Sequence, residues 1–399
     1  MELDNRHSSV GTFLTKEHIE KMPSPSFVVS ELLLRKNLEI LKSIADTSGA
    51  KILLALKAFS MHSLGSIVSE YLNGVCASGI WEAKLGQEFF QGEIHSYSPA
   101  YKVDEFIELS EISDHLSLNS ISQWDSLSPF FVENCSYGLR INPEISQADV
   151  ELYDPCSPKS RLGVLRSDFD DLLEGQAFDE SDQFKKLEGL HFHALCEQGA
   201  NELKKILDKV SHEWADVLSK VQYVNFGGGH HITHDNYDRD LLIQVIQDFS
   251  KLHQVEVYLE PGEAIAVHSG WLVSEVLDVI ENERGNVIVD VSATCHMPDI
   301  LEMPYRPGII GGYLPGEKEY SYRIGGVSCL AGDVMGEWSF DHPLNVGDII
   351  IFDDMLHYTM VKSTTFNGVK HPAIVLLNKD DSIEVLREFT YTDFKNKLS

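Results

Sequence analysis

Lys57 interrupts an apolar run, "AKILLALKAF" (residues 50–59), in which Ile52-Leu53-Leu54-Ala55-Leu56 precede the amine and Ala58-Phe59 follow it. A strand this apolar reads as buried on both faces, with an amine packed among apolar neighbours at its end. Burial disfavours an ammonium and lowers its pKa, and a neutral lysine is a nucleophile suited to Schiff-base chemistry. Taken alone, a strand-end lysine is more simply a surface residue. It is not alone. "VNFGGGHHIT" sets Gly227, Gly228 and Gly229 directly after a strand. Backbone N–H groups there can approach an anion, although a tight turn would use the same glycines. "VYLEPGEA" ends another apolar strand in Glu260 before Pro261-Gly262 turn the chain. A carboxylate so placed suits a cationic ring nitrogen. "GLHFHAL" puts His191 and His193 on one face of a strand, and one such ring can stack on a flat cofactor.

These residues need strands that end at a common face. "KILLAL", "GVCAS", "EIHSYS", "HLSLNS", "YGLRINP", "EGLHFHAL", "VQYVNFGGG" and "VEVYLEP" read as strands, and helical patterns separate many of them. One such helix follows Ser30 as its cap, with Leu34, Leu38, Leu41 and Ala45 on one face. The alternation predicts an α/β fold, a (β/α)8 barrel with its site at the C-terminal strand ends; an open doubly wound sheet is the alternative. The barrel is expected over residues 27–269, opening with "PSFVVS". Beyond it, "YRIGGVSCLAGDVM", "VGDIIIFDDMLHYTMV" and "HPAIVLLNKDDSIEVLREF" alternate strands with Gly/Asp turns. A C-terminal all-β domain is expected over 270–399, joined by residues 1–26.

The formal net charge of −30 over 399 residues argues against nucleic acid and anionic membranes as partners, and favours a cationic small molecule. Solubility alone is the blander use of such acidity. No run approaches the roughly 18 apolar residues of a membrane span. The opening "MELDNRHSSV" lacks a secretory pattern, and the six cysteines form no CxxC pair. A cytoplasmic protein with free thiols is expected.

The ordered set of motifs resembles the fold-type III pyridoxal-phosphate decarboxylases, the group of ornithine and diaminopimelate decarboxylases, over nearly the whole chain. The resemblance implies pyridoxal 5'-phosphate as cofactor and no metal. It makes Lys57 the Schiff-base lysine, His193 the ring-stacking histidine and Gly227 to Gly229 the phosphate loop. It makes Glu260 the partner of the pyridinium nitrogen, and Arg140 in "GLRINP" and Tyr358 in "LHYTM" cofactor-binding residues. Cys329 and Asp333 in "SCLAGD" resemble a pair that the second subunit contributes, which implies a homodimer with shared active sites. Cys329 is then a candidate proton donor to Cα, because an unperturbed thiol, pKa about 8.5, stays protonated near neutrality.

Many members of this family follow Glu-Pro-Gly with an arginine that helps at the phosphate; here Glu263 stands in its place. "SATCHMPDILEMPYRP", with Asp299 and Glu302, "SRLG" and "SCLAGD" resemble the branch that decarboxylates carboxynorspermidine and carboxyspermidine in a bacterial polyamine route. Glu263, Asp299, Asp333 and Glu302 are the implied substrate-binding acids, by charge complementarity to a polyamine. Diaminopimelate or ornithine as substrate, or amino-acid racemisation, are the alternatives within the family. Outside it, "HFH" together with "HHITH" resembles metal-ligand spacing and allows a metal-dependent barrel hydrolase.

Overall fold

The computed structural model describes residues 14–145, 154–157, 159–173, 178 and 182–399. Residues 1–13, expected to join the C-terminal domain, lie outside these. The first strand is β1 (Ser26–Ser30), and β2 (Lys51–Ala55), β3 (Gly74–Ala77), β4 (Glu93–Tyr97) and β5 (His115–Leu118) follow it. Next come β6 (Ser136–Arg140), β7 (Leu187–His191), β8 (Tyr223–Asn225) and β9 (Glu256–Leu259). Strands β2 to β9 are all parallel and close into a barrel, β9 pairing back onto β2. Their near-continuous burial matches strands covered on both faces.

Each covering helix turns one apolar stripe inward. In Glu31–Ser48, Leu34, Leu38 and Leu41 are fully buried, and Ile44 rather than Ala45 completes the stripe. The Ser30 hydroxyl accepts from Leu33 N at 3.4 Å at its start. In Arg239–His253, Asp238 caps the first turn through Leu241 N, while Leu242, Val245, Ile246 and Phe249 are buried. Each such side chain contributes about 1.5–3 kcal/mol on burial.

The barrel interior is filled by rings and closed by charge. Tyr223 and Tyr258 pack with Leu53. Gly189 leaves the space that the Tyr223 ring occupies, since a Cβ there would stand 2.0 Å from Cζ. At the N-terminal strand ends, Lys51 Nζ donates to Glu93 at 2.6 Å and to the Tyr258 hydroxyl at 3.0 Å, and pairs with Glu256 at 3.1 Å. His95 and His115 stack at 4.1 Å beside Glu93. Burial works against ionisation of Glu93, yet its His95 and Lys51 contacts bring its pKa down to about 2. Burial, with His95 alongside, pushes His115 down to about 3.

The remaining strands form one mixed sheet with β1. They are β10 (Gly270–Glu281), β11 (Gly285–Val289), β12 (Tyr320–Gly325), β13 (Val334–Phe340), β14 (Ile349–Asp353), β15 (Ala373–Leu377) and β16 (Ile383–Arg387). Their order is β13-β12-β11-β10-β1-β15-β16, with β14 added to β10. Strand β1 therefore corrects the expected start of the barrel. It runs antiparallel to β10 and parallel to β15. An all-buried strand fits either sheet equally well; its partners decide. The compact units accordingly comprise Asn37–Ile265, and the chain up to Lys36 together with Ala266–Ser399. The second unit is not wholly β, since short helices occur at Ala293–His296 and Asp299–Glu302, and Tyr391–Leu398 forms a helix capped by Thr390. Among the described residues, no helix is long and apolar enough to cross a membrane.

Two outcomes follow from this packing. Gly189→Ala drives a methyl into the Tyr223 ring and is expected to lose about 1–3 kcal/mol in urea unfolding; an unchanged midpoint would contradict the fit. His191 and His230 are held near pKa 4 by burial, and His115 near 3. The unfolded chain takes up these protons near pH 6.5 and the folded one only near 3 to 4, so stability present above pH 6.5 is lost as pH falls. Melting temperature should decline steadily from pH 6.5 to 4; a flat profile there would refute this assignment.

Candidate active site

A cavity of about 210 Å³ opens at the C-terminal strand ends, lined among others by Lys57, Cys76, Tyr97, Arg140, His191, His193 and Glu260. The structure thus brings together four of the residues singled out from sequence: Lys57, Arg140, His193 and Glu260. Lys57 differs from expectation in one respect, because its side chain is exposed rather than packed among apolar groups. Strand β2 stops at Ala55, and the turn that follows buries Leu56 and Ala58 while presenting the amine outward.

The glycine loop is joined to the site by a small hydrogen-bond network. The Asn225 amide donates from Nδ2 to Glu260 Oε1 at 2.7 Å and accepts at Oδ1 from Gly227 N at 2.9 Å. Gly228 N donates to His193 Nδ1 at 2.9 Å, and Glu260 N to Gly227 O at 2.8 Å. The N–H groups of Gly227 and Gly228 are therefore engaged within the protein. What the glycines supply is close approach. Gly227 (φ 71°) and Gly229 (φ 82°) are left-handed, and a Cβ on Gly228 would stand 2.3 Å from Glu260 O.

The electrostatics are set by burial. Burial works to raise the Glu260 pKa, but His191 and His95, the Asn225 amide and the Lys57 amine outweigh it and hold the carboxyl below its usual range. It is ionised at neutral pH. His193 is driven well down by burial, with Lys57 and Arg140 adding to the effect, so its ring is neutral. The Gly228 bond assigns Nδ1 as acceptor and places the ring proton on Nε2. Arg140 is buried, lies 4.5 Å over the Tyr97 ring and reaches His193 O at 3.4 Å. Its Nε and both ring nitrogens of His191 have no hydrogen-bond partner among the described residues. A carboxylate, a neutral flat ring, an accessible amine and unsatisfied buried donors are what pyridoxal phosphate requires, and the residues present fit it.

Of the remaining predicted residues, all but Glu263 belong to the sheet unit. Cys329 is exposed, and its backbone N–H donates to Asn367 Oδ1 at 2.6 Å. Tyr358 is half-buried with φ 54°, a strained backbone for a bulky residue. Asp299 and Glu302 both hold the Lys362 ammonium, the former at 2.8 Å. Asp333 corrects the substrate-binding expectation: it is 3% exposed and accepts from Ala293 N at 2.7 Å, Ser328 N at 3.1 Å and Ser328 Oγ at 2.6 Å. Its carboxylate is consumed in tying two loops together. Glu263 lies in the barrel unit beside His231 and His234.

Sequence reasoning passed over Asn225, Tyr97 and Cys76. The signal that pointed to Lys57, a polar group at the end of an apolar strand, also marks Asn225 and Tyr97. Among the described residues, neither "HFH" histidine belongs to a cluster of three groups able to hold a metal. Such clusters among the described residues are Glu93–His95–His115 and His231–His234–Glu263.

The family description "Pyridoxal-dependent decarboxylase, C-terminal sheet domain" matches residues 27–355. The carboxynorspermidine/carboxyspermidine decarboxylase of Campylobacter jejuni is 43% identical over 386 residues, covering 94% of this chain and 98% of that protein. The carboxyaminopropylagmatine decarboxylase of Synechocystis sp. is 41% identical, covering 96% and 98%. The crystal structure of carboxynorspermidine decarboxylase from C. jejuni complexed with norspermidine superposes with a TM-score of 0.87 at 41% identity, covering 94% of this chain and 100% of that one.

Because Asn225 serves Glu260 and the glycine loop together, Asn225→Leu leaves a buried carboxylate short of a donor, a loss of about 1–3 kcal/mol. A fall in kcat/KM of about 10- to 100-fold is expected. Wild-type kinetics would show that Asn225 does not position the site.

Proposed function

This chain belongs to the pyridoxal-dependent decarboxylases, and on that premise we propose that it decarboxylates carboxynorspermidine, carboxyspermidine or both, releasing CO2 and a triamine in polyamine biosynthesis. The observation that carries this reading is the near-full-length likeness, at 41–43% identity, to two enzymes named for carboxylated polyamines. The acids of the sheet unit support it. Asp299 and Glu302 converge on a primary ammonium in Lys362, the same chemical group a polyamine would present. The Synechocystis likeness favours a second reading, carboxyaminopropylagmatine, whose name adds a guanidinium-bearing agmatine part to the same chemistry.

In this reading pyridoxal phosphate supplies an aldehyde for amines and a ring that accepts the electrons of the broken Cα–carboxylate bond. Lys57 is the residue that would hold the cofactor, through its amine. Glu260, ionised, would favour a proton on the ring nitrogen, the state in which such a ring accepts electrons. His193 would supply a flat neutral ring for the cofactor to lie against. Arg140, the Gly227–Gly229 loop and Tyr358 serve the phosphate side. Cys329 Sγ delivers the proton that replaces CO2 at Cα. Glu263, Asp299 and Glu302 are the candidate acids for the remote nitrogens, the last two by exchanging the Lys362 ammonium for that of the substrate. Asp333 acts through loop structure instead.

We further infer a homodimer in the cytoplasm. An exposed Cys329 flanked by exposed Val327 and Leu330 suits a residue that works in a partner's site. No two of the six cysteines are joined by a disulfide, as a reducing compartment keeps them.

An assay panel of the two carboxylated triamines, carboxyaminopropylagmatine, diaminopimelate, ornithine and lysine tests the substrate class. The carboxylated polyamines should lead in kcat/KM by about 100-fold or more; leadership by diaminopimelate or ornithine would overturn the reading. Loss of optical rotation without CO2 would point to a racemase. Mixing inactive Lys57→Ala with inactive Cys329→Ala should restore about a quarter of wild-type activity, the share of intact sites in randomly mixed dimers. No recovery on mixing, with exchange of subunits verified, would refute shared sites.

A further inference from the structure

The "HHITH" turn, with no part in the reaction above, meets Glu263 in the folded barrel. His231 Nε2 lies 3.4 Å and His234 Nε2 3.9 Å from Glu263 Oε1. The two imidazoles stack, with centroids 4.2 Å apart and planes 19° from parallel. One ligand atom from each residue falls within 4.8 Å of the others. Transition metals hold imidazole nitrogen and carboxylate oxygen at roughly 2.0–2.2 Å, which sets two tetrahedral ligands about 3.4 Å apart. His231 and Glu263 already stand at that separation, and His234 lies 3.9 Å from the same carboxylate oxygen.

The arrangement is held in place by its surroundings. Thr233 Oγ1 donates to Ala264 O at 2.7 Å, fastening the histidine turn to the segment that carries Glu263. The Arg239 guanidinium donates to Ile232 O and His234 O, both at 2.9 Å. His231 N donates to Gln198 O at 3.2 Å. Ligands fixed by such outer bonds lose little freedom when an ion arrives. The side chains remain 27%, 23% and 21% exposed, so an ion can enter and water can complete its coordination. The second cluster differs. Lys51 Nζ stands 2.6 Å from Glu93 Oε1, an ammonium whose charge would repel a cation at that carboxylate.

We propose that His231, His234 and Glu263 form a binding site for one divalent transition metal ion of the zinc type. Two imidazoles and one carboxylate suit Zn2+, Co2+ or Ni2+, whereas Mg2+ and Ca2+ prefer all-oxygen sites. The site shares Glu263 with the polyamine reading, so metal and ammonium compete for one carboxylate. The metal proposal stands without that reading.

Tag-free holoenzyme, freed of metal with a chelator, is titrated calorimetrically with zinc chloride. One Zn2+ per chain is expected, with affinity falling at least about tenfold in His234→Gln and in Glu263→Gln and unchanged in His115→Gln. Absence of stoichiometric uptake, or uptake unaltered in His231→Gln/His234→Gln, would overturn the proposal. Should those variants not fold, wild-type protein loaded with Co2+ decides it. Intense visible ligand-field bands mark a low-coordinate imidazole site, and the faint spectrum of the hydrated ion would refute one.

Discussion

Asn225 spans the two halves of the barrel site. One side-chain amide uses its donor on the Glu260 carboxylate and its acceptor on the backbone of Gly227. Gly228 then fixes the His193 ring. Carboxylate, glycine loop and imidazole come from three consecutive barrel strands, and a single residue at the end of β8 sets their spacing. The glycines are required because the loop lies against Phe192 O, Glu260 O and Leu195 O, with no room for a Cβ.

That constraint has an electrostatic counterpart. A carboxylate buried this deeply would ordinarily be neutral. Glu260 stays ionised through the hydrogen bond from Asn225 and the nearby Lys57 amine. The facing imidazoles are themselves neutral, because burial denies them protons. The site therefore concentrates negative charge at one point beneath a neutral ring and beside an amine. That is the polarity a pyridinium needs, and it is created by a few side chains at strand ends.

Much of this was legible in the chain. All eight barrel strands are among the strand candidates, several of them nearly all apolar, and Lys57, Arg140, His193 and Glu260 stand at or just beyond the ends of theirs. Partners were not legible. "PSFVVS" has the composition of a barrel strand, yet it pairs with β10 and β15, because an all-apolar run carries no record of which neighbour it will meet. Asp333, near a glycine turn, reads as an exposed acid; its inward orientation depends on backbone donors at Ala293 and Thr294, some forty residues away. The contact of Glu263 with His231 and His234 likewise joins segments that only the barrel brings side by side.

The sheet unit is assembled from both ends of the chain, with β1 lying between β10 and β15. During synthesis β1 leaves the ribosome some 240 residues before its first partner, Val273 opposite Ser26. The intervening barrel can close from its own residues while β1 waits with both edges open. Such long-range pairing forms late and leaves an apolar edge exposed in the meantime. Premature termination after the barrel would leave β1 without either partner, its two open edges a template for aggregation.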